Sequence, residues 1–208
     1  MPLKIPPPIG TARLVVRSVA KQDLPDLMKV NGDERVTKFL PYPAWRTMAD
    51  ARAWLRRMQR FAKTGVSHQF VVIEKASGTA VGTALVFAFE ESSRQAELGF
   101  VLGRQWWRTG YMTEAMAALI DCAFRRMGVR RFIANADAAN RASCALLRRL
   151  GFTHEGTLRE RWLDGKTPRT ARVYGLLKRE WPSRKPSRRI RRTPRSPGRS
   201  PPRSRRGA

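Results

Sequence analysis

Between Gln95 and Gly128 the chain changes its hydrophobic period once, and that change limits the folds open to it. AELGFVLG alternates with the two-residue period of a half-buried strand. MTEAMAALIDCAFRRM instead sets Met112, Ala115, Met116, Leu119, Ile120, Ala123, Phe124 and Met127 on one helical stripe that ends at Gly128. Only RQWWRTG separates the two, so a strand hands over to an amphipathic helix through one short turn. Such a pair must be buried in layers, a sheet with helices packed on it.

The rest of the chain repeats these two periods. ARLVVRSV predicts a first strand, and KQDLPDLMKVNGDERVTKFL an interrupted helical segment. Thr47 is a suitable N-cap for a helix to about Lys63, with Met48, Ala51, Trp54, Leu55, Met58 and Phe61 on its apolar side. SHQFVVIEK, TAVGTALVFAFE and RQAELGFVLG, separated by ASG and ESS, predict an antiparallel meander. VRRFIANA reads as a strand, NRASCALLRRL as a short helix closed by Gly151, and GFTHEGTLRERWL and TPRTARVYGLLKREW as the last two strands. The expectation is an α+β fold with a mixed sheet and helices on its faces, without internal repeats.

With 208 residues, 42% of them hydrophobic, the chain suits one globular domain and a tail. It has no uninterrupted apolar run of about 18 residues, and MPLKIPPPIGTARL lacks the apolar stretch of a secretory signal, so no membrane partner and a cytoplasmic location are expected. Cys122 and Cys144 form no CxxC and have no histidine cluster, which predicts reduced core residues and no metal site. His68 and His154 have no partner implied by spacing and read as surface or strand positions.

The formal charge of +26 points to nucleic acid, a membrane surface or another polyanion. Residues 183–208 hold eleven Lys or Arg and no acid, and removing these from +26 leaves +15 on residues 1–182. This segment is rich in Pro, Ser and Arg and is read as a disordered tail able to contact RNA or the ribosome. Residues 1–10 are read as a flexible Pro-rich lead and residues 11–182 as the domain.

The turn RQWWRTG carries the first chemical signal. The leading N–H groups of the following helix lack intrahelical partners, and together with the macrodipole they make a site for an anion. Gly110 lets a phosphate approach the backbone, while Arg104 and Arg108 add positive charge. Trp106 and Trp107 are read as wedging the turn over the edge of the core.

QWWRTGYMTEA resembles the acyl-CoA binding motif of the GNAT acetyltransferase superfamily, Q/R-x-x-G-x-G/A, and NRASCALLRRLGFTHEGTLRE resembles its downstream N-x-x-S/A helix followed by GF and EGxLRE. With TARLVVRSVAKQDL and VYGLLKREW these segments are similar to the branch of ribosomal-protein N-terminal alanine acetyltransferases, over roughly residues 11–181. Gln105 and Gly110 match the outer motif positions, whereas Arg108 stands where the first glycine is usual.

The resemblance implies a GNAT-like, mostly antiparallel sheet with splayed central strands, and acetyl-CoA as acyl donor. It implies that the amides of Arg108, Thr109, Gly110, Tyr111, Met112 and Thr113 hold the pyrophosphate, that Phe100, Val101 and Leu102 pair with the pantetheine arm, and that Asn140 bonds that arm. Glu97 is then the expected base and Ser143 the expected acid, because Leu147 stands where many relatives carry a tyrosine. From the local sequence alone, Glu97 also reads as a solvated or salt-bridged carboxylate, Asn140 as a helix N-cap and Ser143 as a hydroxyl bonded to its own helix. Glu114 is explained by the dipole at its helix start. Phe39, Tyr42 and Trp45 resemble the variable region lining the acceptor cleft, and from the local sequence alone also read as a packed loop. The implied reaction is direct acetyl transfer to a primary amine, foremost a protein or peptide N-terminus of the ribosomal type, by a monomer or homodimer. An RNA- or ribosome-binding protein and an aminoglycoside or polyamine acetyltransferase stay open as alternatives.

Overall fold

The computed structural model describes residues 2–181. The chain begins with a hairpin of β1 (Ile9–Gly10) and β2 (Leu14–Ser18), then α1 (Leu24–Asn31), α2 (Glu34–Thr37) and α3 (Met48–Lys63). The meander β3 (His68–Glu74), β4 (Ala80–Glu90) and β5 (Gln95–Leu102) leads into α4 (Tyr111–Cys122). After it come β6 (Arg131–Asp137), α5 (Arg141–Arg149), β7 (Thr153–Asp164) and β8 (Thr167–Leu177). The strands form one eight-stranded sheet in the order β1-β2-β3-β4-β5-β6-β8-β7. Every neighbouring pair is antiparallel except β5 and β6.

Helices cover both faces of the sheet. On one, α4 and α5 bury Met116, Leu119, Ile120 and Leu147 against Phe70, Val86, Leu98, Phe132 and Tyr174. On the other, α1 and α3 bury Leu27, Trp54, Leu55 and Met58 with Trp45 against Val71 and Ala80. At the start of α3, the Asp50 carboxylate accepts from the Thr47 amide at 2.8 Å and satisfies a donor that would otherwise be orphaned.

The elements differ from expectation in two places. The helical stripe to Met127 is continuous, but its last turn, Ala123–Met127, is a π-helix ending on Gly128 at φ +88°. Within the expected flexible lead, Leu3 is buried with its amide bonded to the Gly65 carbonyl at 2.8 Å, and a two-residue strand, Ile9–Gly10, precedes the expected one, which runs Leu14–Ser18. The expected tail, residues 183–208, lies outside the described residues.

Candidate active site

The sheet opens where its two parallel strands part. β5 and β6 pair only over Gln95–Glu97 and Arg131–Ile133. Beyond that point β5 stays bonded to β4, through Phe100, Val101 and Leu102 opposite Ala84, Thr83 and Gly82, while β6 follows β8. The result is a wedge, with Glu97 at its apex and the turn 103–110 beyond the far end of β5.

That turn is built around its tryptophans. A Cβ on Gly103 would lie 2.7 Å from the Trp106 ring, so only glycine admits the partly buried indole beside the core. Trp107 remains 44% exposed, and its Nε1 donates to the Leu102 carbonyl at 2.8 Å. The Thr109 hydroxyl donates to the Trp106 carbonyl at 2.7 Å. Arg108 and Gly110 both take left-handed conformations, at φ +65° and +81°. The arginine therefore holds the kind of backbone angle for which glycine is normally favoured.

This geometry leaves donors free. Among the described residues the amides of Arg108, Thr109, Gly110, Met112 and Thr113 have no protein acceptor, whereas the Tyr111 amide points to Thr109 Oγ1 at 3.4 Å. Converging N–H groups at a helix start, beside Arg104 and Arg108, fit a diphosphate. Gln105 is exposed on the α1 side of the turn, where with Lys29, Val30, Asp33 and Arg104 it lines a cleft of about 440 Å³.

A network not anticipated from the sequence fixes the start of α4. Glu114 accepts from Thr11 Oγ1 at 2.6 Å, from the Arg13 amide at 2.8 Å and from Arg13 Nε at 2.7 Å. Arg13 also donates to the Thr109 carbonyl at 3.1 Å and lies 4.5 Å from the Tyr111 ring centre. Burial alone would raise the Glu114 carboxyl, but the bonds from Thr11 and Arg13 outweigh it and hold it below the ordinary range. The Tyr111 hydroxyl donates to Glu74, which raises the phenol and leaves the ring a packing role.

Glu97 and Ser143 lie on opposite sides of the sheet. Ala96, Leu98, Phe132 and Ala134 point into the α4 core, so the alternation puts Glu97 and Asn135 on the other face. Asn135 Nδ2 donates to Glu97 Oε2 at 3.0 Å; the alternation of VRRFIANA could have placed Asn135 on a face but not against Glu97. Ser143 lies on α5, half-buried, and its hydroxyl has no hydrogen bond among the described residues, so it is not tied back to its helix. Asn140 is the N-cap of α5, accepting from the Ser143 amide at 3.1 Å, which leaves its Nδ2 group free. Leu147 is core, as is Tyr174, whose phenol is raised by burial and by the neighbouring Cys144 thiol.

The aromatic run divides. Trp45 is buried against Trp54, with ring centres 5.3 Å apart, so it belongs to the core rather than a cleft. Tyr42 donates to Asn31 Oδ1 at 3.1 Å, and burial, partly offset by the charge of Arg57, pushes its phenol up to about 12. Phe39 reaches across to Arg169, 5.8 Å from the ring centre, and Arg169 is ion-paired with Asp137 and Asp164.

Cys122 and Cys144 are both free and buried. His68 is buried and lowered by desolvation, with Nε2 2.8 Å from Ser18 Oγ, and His154 bonds Thr157. Among the described residues no group of His, Cys, Asp and Glu could hold a metal, and no helix is long and apolar enough to cross a membrane.

Comparison with known proteins agrees with this geometry. The acetyltransferase (GNAT) domain family matches residues 13–153. The uncharacterized N-acetyltransferase p20 of Bacillus licheniformis is 30% identical over 173 residues, covering 82% of this chain and 96% of that protein. The ribosomal protein uS5-alanine N-acetyltransferase of Escherichia coli (strain K12) is 31% identical over 168 residues, 76% of this chain and 84% of the relative. The fold superposes on a Vibrio cholerae spermidine N-acetyltransferase, solved with CoA and spermine, with a TM-score of 0.72 at 15% identity, over 82% and 99% of the chains. A wedge between parallel strands, unpaired amides at the helix beyond it and these similarities lead to one conclusion: the chain belongs to the GNAT acetyltransferase family, as an N-acetyltransferase of its ribosomal-protein-alanine acetyltransferase-like branch that draws its acetyl group from acetyl-CoA.

Proposed function

We propose that this enzyme acetylates the α-amino group of a protein or peptide N-terminus, of the kind ribosomal proteins present, by direct transfer. The pattern of carboxylates on the Glu97 face carries this reading. Asp137 is ion-paired with Arg169 and Glu155 with Arg131, whereas Glu97 has only the neutral Asn135 amide as partner among the described residues. Of the two carboxylates on β5 and β6 that face this side, Glu97 and Asp137, only Glu97 lacks a cation among the described residues, and one such carboxylate suits one ammonium group. A polyamine or aminoglycoside, with several positive charges, would meet arginines there instead.

The residues have complementary tasks. The free amides from Arg108 to Thr113, apart from that of Tyr111, hold the diphosphate, and the Arg108 and Gln105 side chains flank it. Phe100, Val101 and Leu102 align the pantetheine arm, with Leu102 contributing its N–H because Trp107 occupies its carbonyl. Asn140 Nδ2 supports the same arm. Bound acetyl-CoA supplies a thioester carbonyl for the amine to attack. An α-ammonium with a pKa of roughly 8 must first lose a proton, which Glu97 takes directly or through water. Ser143 Oγ carries the proton required at sulfur on the opposite side of the sheet. Holding both reactants within one wedge lowers the barrier without a covalent enzyme adduct.

An assay with radiolabelled acetyl-CoA against peptide N-termini, polyamines and aminoglycosides tests the acceptor class. Peptides should exceed the other amines in kcat/KM by about tenfold or more, the value of one charge-assisted contact. A preference for polyamines would overturn the reading. Calorimetry with acetyl-CoA alone separates a wrong acceptor from a failure of donor binding.

A further inference from the structure

The solvent face of α3 carries a row of cations that acetyl transfer does not use. Arg52, Arg56, Arg60 and Lys63 are exposed, and among the described residues none has an ion pair or side-chain hydrogen bond. At 3.6 residues per turn they fall within an arc of about 80°, on successive turns roughly 6 Å apart. Arg57, also exposed, lies about 60° beyond one edge of that arc. The acid of this helix, Asp50, is committed to its first turn. Like charges three and four residues apart destabilise a helix, so the row is a cost to the free protein.

We infer that this face of α3 binds the phosphodiester backbone of RNA. A nucleic-acid strand is a continuous row of negative charges at a spacing close to that of the arginines, and guanidinium groups bind phosphate in a two-pronged geometry. An anionic bilayer fits less well, because the apolar side of α3 is spent on Val71 and Ala80 and cannot enter lipid.

The row lies within the described residues and is distinct in sequence from residues 183–208. Trp181, the last described residue, packs on Phe124 and donates to Asp121 on the α4 side of the sheet. The inference also does not rest on the identity of the acceptor amine.

Fluorescence anisotropy of a labelled single-stranded RNA, titrated with the full-length protein over a series of salt concentrations, tests it. The comparison is between wild type, R52Q/R56Q/R60Q and the charge-matched R126Q/K178Q/R179Q. Losing three phosphate contacts at about 0.7 each should flatten the slope of log affinity against log salt by about 2 in the α3 variant. The opposite-face variant should keep the wild-type slope, and all three proteins should acetylate a short peptide at rates within about twofold. Equal slopes for wild type and the α3 variant would overturn the inference. So would equal losses in both variants, which would mean a response to net charge, or wild-type binding to phosphatidylserine vesicles in preference to RNA.

Discussion

Arg108 keeps a glycine-like backbone angle and accepts the strain of a side chain there. Arg108→Gly should therefore raise unfolding free energy by on the order of 1 kcal/mol in urea denaturation. The same change removes a cation beside the expected diphosphate, so KM for acetyl-CoA should rise by about tenfold. A rise in stability without a change in KM would mean that the guanidinium does not touch the donor. At the apex of the wedge, Glu97→Gln should lower kcat/KM for the amine by roughly 10²-fold while leaving donor affinity by calorimetry unaltered. Short-range signals made these residues legible, since Gly110, the neighbouring arginines and the strand parity of Glu97 can be read within a few positions. The left-handed angle of Arg108 was not legible, because nothing in the residue itself asks for it. Asn135 was visible only as a strand position, since its role depends on a partner 38 residues away.

Among the elements, α4 is the proposed anion cradle and also a structural anchor. Its Glu114 latches the β1–β2 hairpin, so Glu114→Ala should cost about 1.5 kcal/mol, the low end of the range for hydrogen bonds to a charged group, since the pair is only partly buried. Because the folded carboxyl sits below its ordinary value, the latch is fully present above about pH 4.5 and is lost as pH falls through the folded value. Thermal melts of the wild type should therefore lose Tm faster than those of Glu114→Gln on acidification below that point. Period changes located nearly every helix and strand, because burial on one face imposes them locally. The contacts from Thr11 and Arg13 to Glu114 span about a hundred residues and leave no local trace. The same holds for the π-turn at Ala123–Met127, which keeps its apolar stripe while changing its hydrogen-bond ladder. For a related reason the sequence leaves Trp45 open between cleft lining and packed loop: an aromatic loop residue looks alike whether it lines a cleft or fills a core.

On the scale of the molecule, charge and chemistry separate. Residues 183–208 carry eleven of the positive charges, and the reaction described above calls on none of them. A chain ending at residue 182 should acetylate a short peptide with kcat/KM within about twofold of the full length while losing part of any salt-sensitive RNA affinity. The wedge itself has a consequence for the resting enzyme. Past Glu97, β5 has one bonded neighbour instead of two, so the sheet contains a free edge in its interior. Edge amides that wait for a partner exchange their protons readily. Deuterium uptake at the amides of Phe100 and Leu102, which face away from β4, should therefore be rapid in the empty protein and slow sharply once the donor's arm fills the slot.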